Sequence, residues 1–316
     1  MAIAGVATLL GKWAPLVGGP VFAIFIGIAI AAWRPPAPVL EPGASFAAKT
    51  LLQWSIVLLG ANLSLAQIVR GGAAALPVML GTFALVLTLA YVFGRLLGLD
   101  RDLRRLLAIG TAICGGSAIA ALSSVIEVDS SDVAYALGTV FCFNVVAVLV
   151  FPPLGHALAL SQPAFGLWAG TAINDTSSVV AAAFAYGRDA GNASVVVKLT
   201  RTLLIVPIVL FYAWKRLASQ RAGDRAIEWR NLFPWFILWF LAAAAIESLG
   251  WIPGSWQAPL HAIAIFAMVV ALAGVGLSSD VRRMRTAGAA PLALGAILWI
   301  AIAWSSLAIA HLARLG

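Results

Sequence analysis

Runs of about twenty apolar residues recur along this chain with only short connections between them, and no other feature restricts its fold as strongly. Such a run is long enough to cross the roughly 30 Å hydrocarbon core of a bilayer as a helix. The inventory agrees: of 316 residues, 62% are hydrophobic and only 10% charged, against about 25% charged in a soluble domain. That excludes a soluble globular enzyme, a disordered chain and a nucleic-acid binder. The net charge of +8 does not point to nucleic acid, because the basic residues sit between apolar runs, where they mark cytoplasmic loops. Cys114 and Cys142 both fall inside apolar segments, so no disulfide framework is implied.

At roughly 30 residues per span plus loop, residues 1–316 are expected to form one all-α, polytopic membrane domain of about 10 transmembrane segments. The runs are Trp13 to Trp33, Ala47 to Asn62, Ala73 to Leu97, Leu103 to Ile126 and Val133 to Val150. They continue with Phe165 to Tyr186, Ala193 to Trp214, Phe233 to Leu249, Leu260 to Leu277 and Ala289 to His311. The breaker Arg34-Pro35-Pro36 ends the first, which carries no cleavage signature and reads as an uncleaved span. Trp13, Trp33, Trp214, Trp235 and Trp251 fall near segment ends, as an interfacial belt would place them.

Lys and Arg counts set the orientation. Arg95 to Arg105, the linker with Lys215, Arg216, Arg221, Arg225 and Arg230, and the turn with Arg282, Arg283 and Arg285 are expected on the cytoplasmic side. The loop with Glu127, Asp129 and Asp132 carries no basic residue, nor does Gly250 to Ala258. A shift of 214 positions pairs Gly60 with Gly274, Leu63 with Leu277, Ser64 with Ser278, Pro77 with Pro291 and Gly81 with Gly295. The traces, 56–87 and 270–301, have loops of opposite charge character, which predicts inverted repeats, a construction common in secondary transporters.

Segments 103–126 and 165–186 resemble each other at an offset of 60: GTAICGGSAIAA begins at Gly110 and GTAINDTSSVVAA at Gly170. In each a helix-unfriendly cluster interrupts the run. Irregular backbone survives at membrane depth only where protein or a water-filled cavity satisfies it, so both are expected to be discontinuous helices, crossing or re-entrant, at a binding site. At Cys114, Gly115, Gly116 and Ser117 the glycines let the chain leave helical geometry, and Ser117 could cap the next half-helix and present its positive end to an anion. Tight helix packing explains the glycine pair equally well.

Asp175 lies mid-segment, where a carboxylate is costly unless paired or functional. Asn174 and Asp175 are the expected coupling-ion residues, with the hydroxyls of Thr176, Ser177 and Ser178 offered to a substrate. Lys198 and Arg201, three residues apart, share a helix face. Arg201 is too deep to reach water; it either balances Asp175 or meets an anionic substrate bidentately, and the two could alternate. Lys198 lies nearer the outer end, where it could snorkel, and is its charge partner. Lys49, Lys12 and Glu247 near segment ends are expected to reach interfacial water. No P-loop, HExxH or dinucleotide fingerprint is present, so the chain is not expected to be an enzyme.

At these residues the sequence resembles a known family. GTAICGGSAIAA, AGTAINDTSSVVAA, VVVKLTRTLLIVPIVL and GLSSDVRRMRTAGAAPL, in that order, look like the bacterial inner-membrane proteins grouped as sulfate exporters. Distantly they are similar to bile acid:sodium symporters and cation/proton antiporters, whose two discontinuous helices cross at the midplane; CGGS resembles one crossover and INDTSS the other. The resemblance implies a multi-pass inner-membrane secondary transporter of sulfate or a related sulfur oxyanion or sulfonate. H⁺ or Na⁺ would be the coupling ion, and no other cofactor is expected. Relatives often place a His and an acid where this chain has Asn174 and Asp175, so a proton relay at 174 is not expected while the acid remains. A sodium-coupled carboxylate symporter and a passive anion channel are the alternatives. The expected partners are a small anion, the bilayer and a second copy in a homodimer.

Overall fold

The computed structural model describes residues 1–13, 18–33, 37–126, 128–218, 235–279 and 288–312. The breaker at 34–36, Glu127, and the arginines at 221, 225, 230, 282, 283 and 285 lie outside them. Among the described residues every regular element is helical. The first apolar stretch divides into α1 (Ala2–Trp13) and α2 (Gly18–Trp33), which pack on each other. Next come the short α3 (Glu41–Phe46), a π-helical turn over Ala47–Leu51, and α4 (Leu52–Gly60). The long α5 (Leu65–Leu96) starts from a capping box, in which Ser64 Oγ accepts from Gln67 N and Gln67 Oε1 from Ser64 N.

The chain continues with α6 (Arg101–Ala112), α7 (Gly116–Val125), α8 (Ser130–Ala157), α9 (Gln162–Ala172) and α10 (Thr176–Tyr186). It closes with α11 (Arg188–Thr202), α12 (Ile205–Ala218), α13 (Phe236–Ser248), α14 (Gly254–Leu277) and α15 (Ala289–Leu312). Among the described residues, five stretches are long and apolar enough to cross a bilayer: 65–96, 130–157, 188–215, 254–277 and 289–312. Large apolar side chains such as Trp54, Leu80, Phe211 and Trp304 point outward, as a lipid-facing surface requires.

The two interrupted segments are hairpins. A Cβ added to Gly110 in α6 would meet the Ile119 side chain of α7 at 2.8 Å. Residues nine apart in a continuous helix stand roughly 13 Å apart along the axis, so α7 has folded back along α6. Asp132 at the start of α8 lies within electrostatic reach of Asp100 and Asp102 at the start of α6. In the second hairpin the rings of Phe165, in α9, and Tyr186, the last residue of α10, stack at 3.9 Å, and the Tyr186 hydroxyl donates to Leu160 O. Gln162 Oε1 then accepts from Asp189 N and Ala190 N, so α11 starts on the same face.

The hairpins enter from opposite faces. α8 runs from the base of the first to that of the second, where His156 stacks on Tyr186 at 4.2 Å. α11 and α12 run back, and the Arg105 guanidinium sits over the Tyr212 ring at 5.9 Å. Gly94 and Leu294 meet there too, so α15 starts on the face of Arg95 to Arg105. The loop with Asp129 and Asp132, which has no basic residue, nevertheless lies on this basic face, because the first hairpin returns the chain to its side of entry. On the opposite face the Ser248 hydroxyl accepts from Leu65 N, bringing the end of α13 to the start of α5.

This topology predicts the reactivity of single cysteines in a background lacking Cys114 and Cys142. Asp100→Cys and Asp129→Cys react with an impermeant maleimide from one face, and Ser161→Cys from the other. Labelling of positions 100 and 129 from opposite faces would replace the hairpins with crossing helices.

Candidate functional site

The tips of the two hairpins touch. Ile113 to Gly115 separate α6 from α7, and Gly115 takes φ +67°, a left-handed conformation that glycine adopts without a Cβ penalty. A Cβ there would also stand 3.1 Å from Val140 and 3.6 Å from Asn174 Cβ. Ile173 to Asp175 separate α9 from α10, and Asn144 of α8 holds this tip, its Oδ1 accepting from Asn174 N and Asp175 N at 3.2 and 3.3 Å.

Four half-helix ends therefore converge, and they are treated in opposite ways. The carboxyl ends of α6 and α9 would leave orphan carbonyls and negative dipole ends in the interior. α11 supplies the donors. Arg201 Nε donates to Ala112 O at 2.8 Å, Nη2 to Thr111 O at 2.6 Å and Nη1 to Thr171 O. Lys198 Nζ donates to Ile113 O at 3.1 Å and Ile173 O at 3.0 Å. α11 comes this close because glycines line the facing side of α9: a Cβ at Gly166 would lie 2.6 Å from Ala190 O.

These contacts correct the expectation for both cations. Lys198 and Arg201 are 0% and 1% exposed, so Lys198 does not snorkel, and the Arg201 guanidinium is turned to backbone carbonyls and is not among the residues lining the cavity. No ion pair joins Arg201 to Asp175 among the described residues. The physical reason is that the guanidinium is already engaged on three carbonyls from two helices, a fan of acceptors that its planar fork matches.

The amino ends of α7 and α10 open instead into a cavity of about 580 Å³. Gly116 and Ser117 contribute from one hairpin, and Asp175, Thr176 and Ser177 from the other, with Asn144 between them. Asp175 is the N-cap of α10: its Oδ2 accepts from Ser178 N at 3.1 Å and from the hydroxyls of Ser177 and Ser178. Ser117 does not cap α7, contrary to expectation; Gly115 holds the cap position, and the Ser117 side chain, one residue inside the helix, projects into the cavity. Cys114, Gly115, Asn174 and Ser178 are buried beside the tips and do not line the cavity.

The opposite wall comes from elsewhere in the chain. Lys49 and Gln53 reach it from the π-helical turn and α4, and Ser278 and Ser279 from the end of α14. Lys49, expected to meet interfacial water, is exposed and also lines the cavity. Asn144 was legible as a lone amide inside the apolar run FCFNVVAV, the pattern that marks a functional position in a membrane helix. Ser278 and Ser279 belong to the closing motif, but nothing in their local pattern announces a cavity.

A family model described as "Conserved hypothetical protein 698" matches residues 1–295. The chain is 42% identical over 306 residues to a "UPF0324 membrane protein" of Streptococcus pneumoniae serotype 4, covering 94% of this chain and 90% of the relative. One from Clostridium tetani is 40% identical over 296 residues, covering 90% and 86%. A third, from Fusobacterium nucleatum, is 37% identical over 319 residues, covering 94% and 92%. These names describe membrane proteins and specify no substrate. No solved structure matches the chain.

Removing the Arg201 fork leaves three interior carbonyls without their donor, and an unsatisfied buried polar group costs about 1–3 kcal/mol. Arg201→Ala is expected to lower the Tm of the detergent-purified protein by many degrees, and Arg201→Lys by less. An unchanged Tm for Arg201→Ala would refute the bracing role.

Proposed function

The chain belongs to the UPF0324 family of multi-pass membrane proteins, and we propose that it is a secondary active transporter of a small anion, coupled to H⁺ or Na⁺ and working by alternating access. One observation carries this reading: two half-helix amino ends, a carboxylate and several hydroxyls converge on a cavity at the meeting point of two opposed hairpins. Helix amino ends attract anions, and discontinuous helices meeting mid-membrane are a recurrent transporter device.

Each group has a role. The α7 amino end at Gly116 and Ser117, which no side chain caps among the described residues, receives the anion together with the hydroxyls of Thr176 and Ser177. Asp175 receives the coupling cation. The described hydrogen bonds to its carboxylate all go to Oδ2, leaving Oδ1 for a proton or Na⁺. With Asp175 ionised, its charge opposes an anion in the same cavity; neutralising it lifts that opposition, and the two fluxes become coupled. Arg201 and Lys198 act as positioning residues. A transporter reading includes no chemical step, so the chain is not an enzyme here.

The cavity opens toward the basic face, since Phe236, Ser278 and Ser279 sit at element ends that lead to it. With basic loops inside, this is an inward-open state in the bacterial inner membrane. The inverted repeat read from traces 56–87 and 270–301 would suit alternating access, and the helices that carry them are in contact, α4 with α14 and α5 with α15. The sulfur oxyanions implied by the resemblance and the carboxylates of the alternative both fit this chemistry.

In proteoliposomes, Asp175→Asn is expected to retain anion exchange while losing accumulation driven by a pH or Na⁺ gradient. A wild type showing only non-saturable, gradient-independent flux would identify a passive channel instead.

A further inference from the structure

The cavity has two unlike walls. One is the polar hairpin tip region; the other is built on the π-helical turn over Ala47–Leu51, where Lys49 lines the cavity and remains exposed. The wider π geometry shifts a side chain off the line that a regular helix would give it, and such turns recur at functional positions. Packing fixes this turn, for a Cβ on Gly274 of α14 would stand 2.7 Å from Ala47 Cβ and 3.0 Å from Ala44 O.

Lys49 is the only Lys or Arg among the described lining residues, and no carboxylate pairs with it among the described residues. Asp175, the acid of the same cavity, lies on the other wall. An exposed lysine on the wall of such a cavity, without a protein counter-charge among the described residues, is a ready partner for an anionic ligand. Gln53, one turn further along the same element, and the Ser278 hydroxyl add neutral polar groups beside it.

Size and polarity restrict that ligand. A volume of about 580 Å³ falls in the roughly 300–1,000 Å³ range of organic-ligand pockets. A bare tetrahedral oxyanion, comparable to a few waters of roughly 30 Å³ each, would fill a small part. Between the polar ends the walls are apolar: Leu52, Ile56 and Phe236 on one side, Leu137, Val140 and Phe141 on the other. A doubly charged inorganic ion gains nothing there and loses hydration, whereas a hydrocarbon body gains about 25 cal/mol per Å² of buried apolar surface.

We propose that Lys49 is a substrate-binding and specificity-determining residue, holding the charged group of an organic anion, a short-chain sulfonate or carboxylate, whose apolar body lies along the cavity. This deepens the transporter reading and rests on it. Because Lys49 sits on the wall opposite the hairpin tips, a ligand held by both walls ties them together, and selection of the substrate becomes selection of the closed cavity.

The test uses the purified full-length protein with sulfate, propanesulfonate and butyrate, followed by calorimetry and by gradient-driven flux in proteoliposomes. The wild type is expected to bind propanesulfonate or butyrate at least about tenfold tighter than sulfate. Lys49→Gln loses about tenfold or more of that affinity, the scale of one hydrogen bond to a charged group, and Lys49→Arg keeps most of it. The ligand-free Tm of each variant separates lost binding from lost folding. Whichever organic anion binds tighter identifies the head group. Sulfate binding as tight as either, or undiminished affinity in Lys49→Gln with coupled flux intact, overturns this proposal and leaves the transporter reading standing. No binding and no flux of any anion by the wild type overturns both.

Discussion

Five hydrogen bonds from two buried cations of α11 hold the centre of this molecule together. Two hairpins can meet tip to tip inside a membrane protein only if the carbonyls exposed at their broken helices find donors, because lipid supplies none. Lys198 and Arg201 provide those donors, and their charges face the negative ends of the α6 and α9 dipoles. The carboxyl ends of the half-helices are thereby sealed on the α11 side, and the amino ends are left facing the cavity. The polarity of the site follows from which ends are sealed.

Scarce charge in a membrane chain is commonly taken to mark function, and here the charges divide by enclosure. Lys198 and Arg201 have no exposed surface with which to meet a ligand; their acceptors are backbone atoms of neighbouring elements. Asp175 and Lys49 face open space from opposite walls. Asp175 is both a cap and a cavity group, so one carboxylate satisfies the α10 amino end and still presents an oxygen outward. Function and architecture thus draw on the same kind of residue, and depth in the bilayer alone does not separate them.

The cavity lies where two packed bodies face each other. The hairpins, α8, α12 and α15 share one apolar cluster, while α1, α2, α4, α13 and α14 share another, into which faces of α10 and α11 also reach. Tight backbone approaches stiffen each body: a Cβ at Gly27 in α2 would stand 2.7 Å from Ala273 O in α14. Where α10 and α11 reach into the second cluster the two bodies are joined by apolar packing, so movement of one against the other must repack those faces.

The sequence by itself determined the all-helical membrane class, the two interruptions and the acid at 175, because apolar run length, glycine and polar clusters and a lone mid-segment carboxylate are local signals. It also implied a common side for the basic loops, and the described ends of α5, α6, α12 and α15 do share a face. Whether the interrupted segments cross or return was decided by tertiary structure, since both choices bury the same residues and long-range contacts such as Gly110 with Ile119 and Phe165 with Tyr186 distinguish them. Tertiary structure likewise turned Arg201 toward carbonyls of α6, some ninety residues earlier in the chain, and placed Lys49 on the cavity wall. A charge has the same one-letter identity in a brace as in a binding site. What it does depends on which acceptors lie within about 3 Å, and those come from segments that sequence proximity does not reveal.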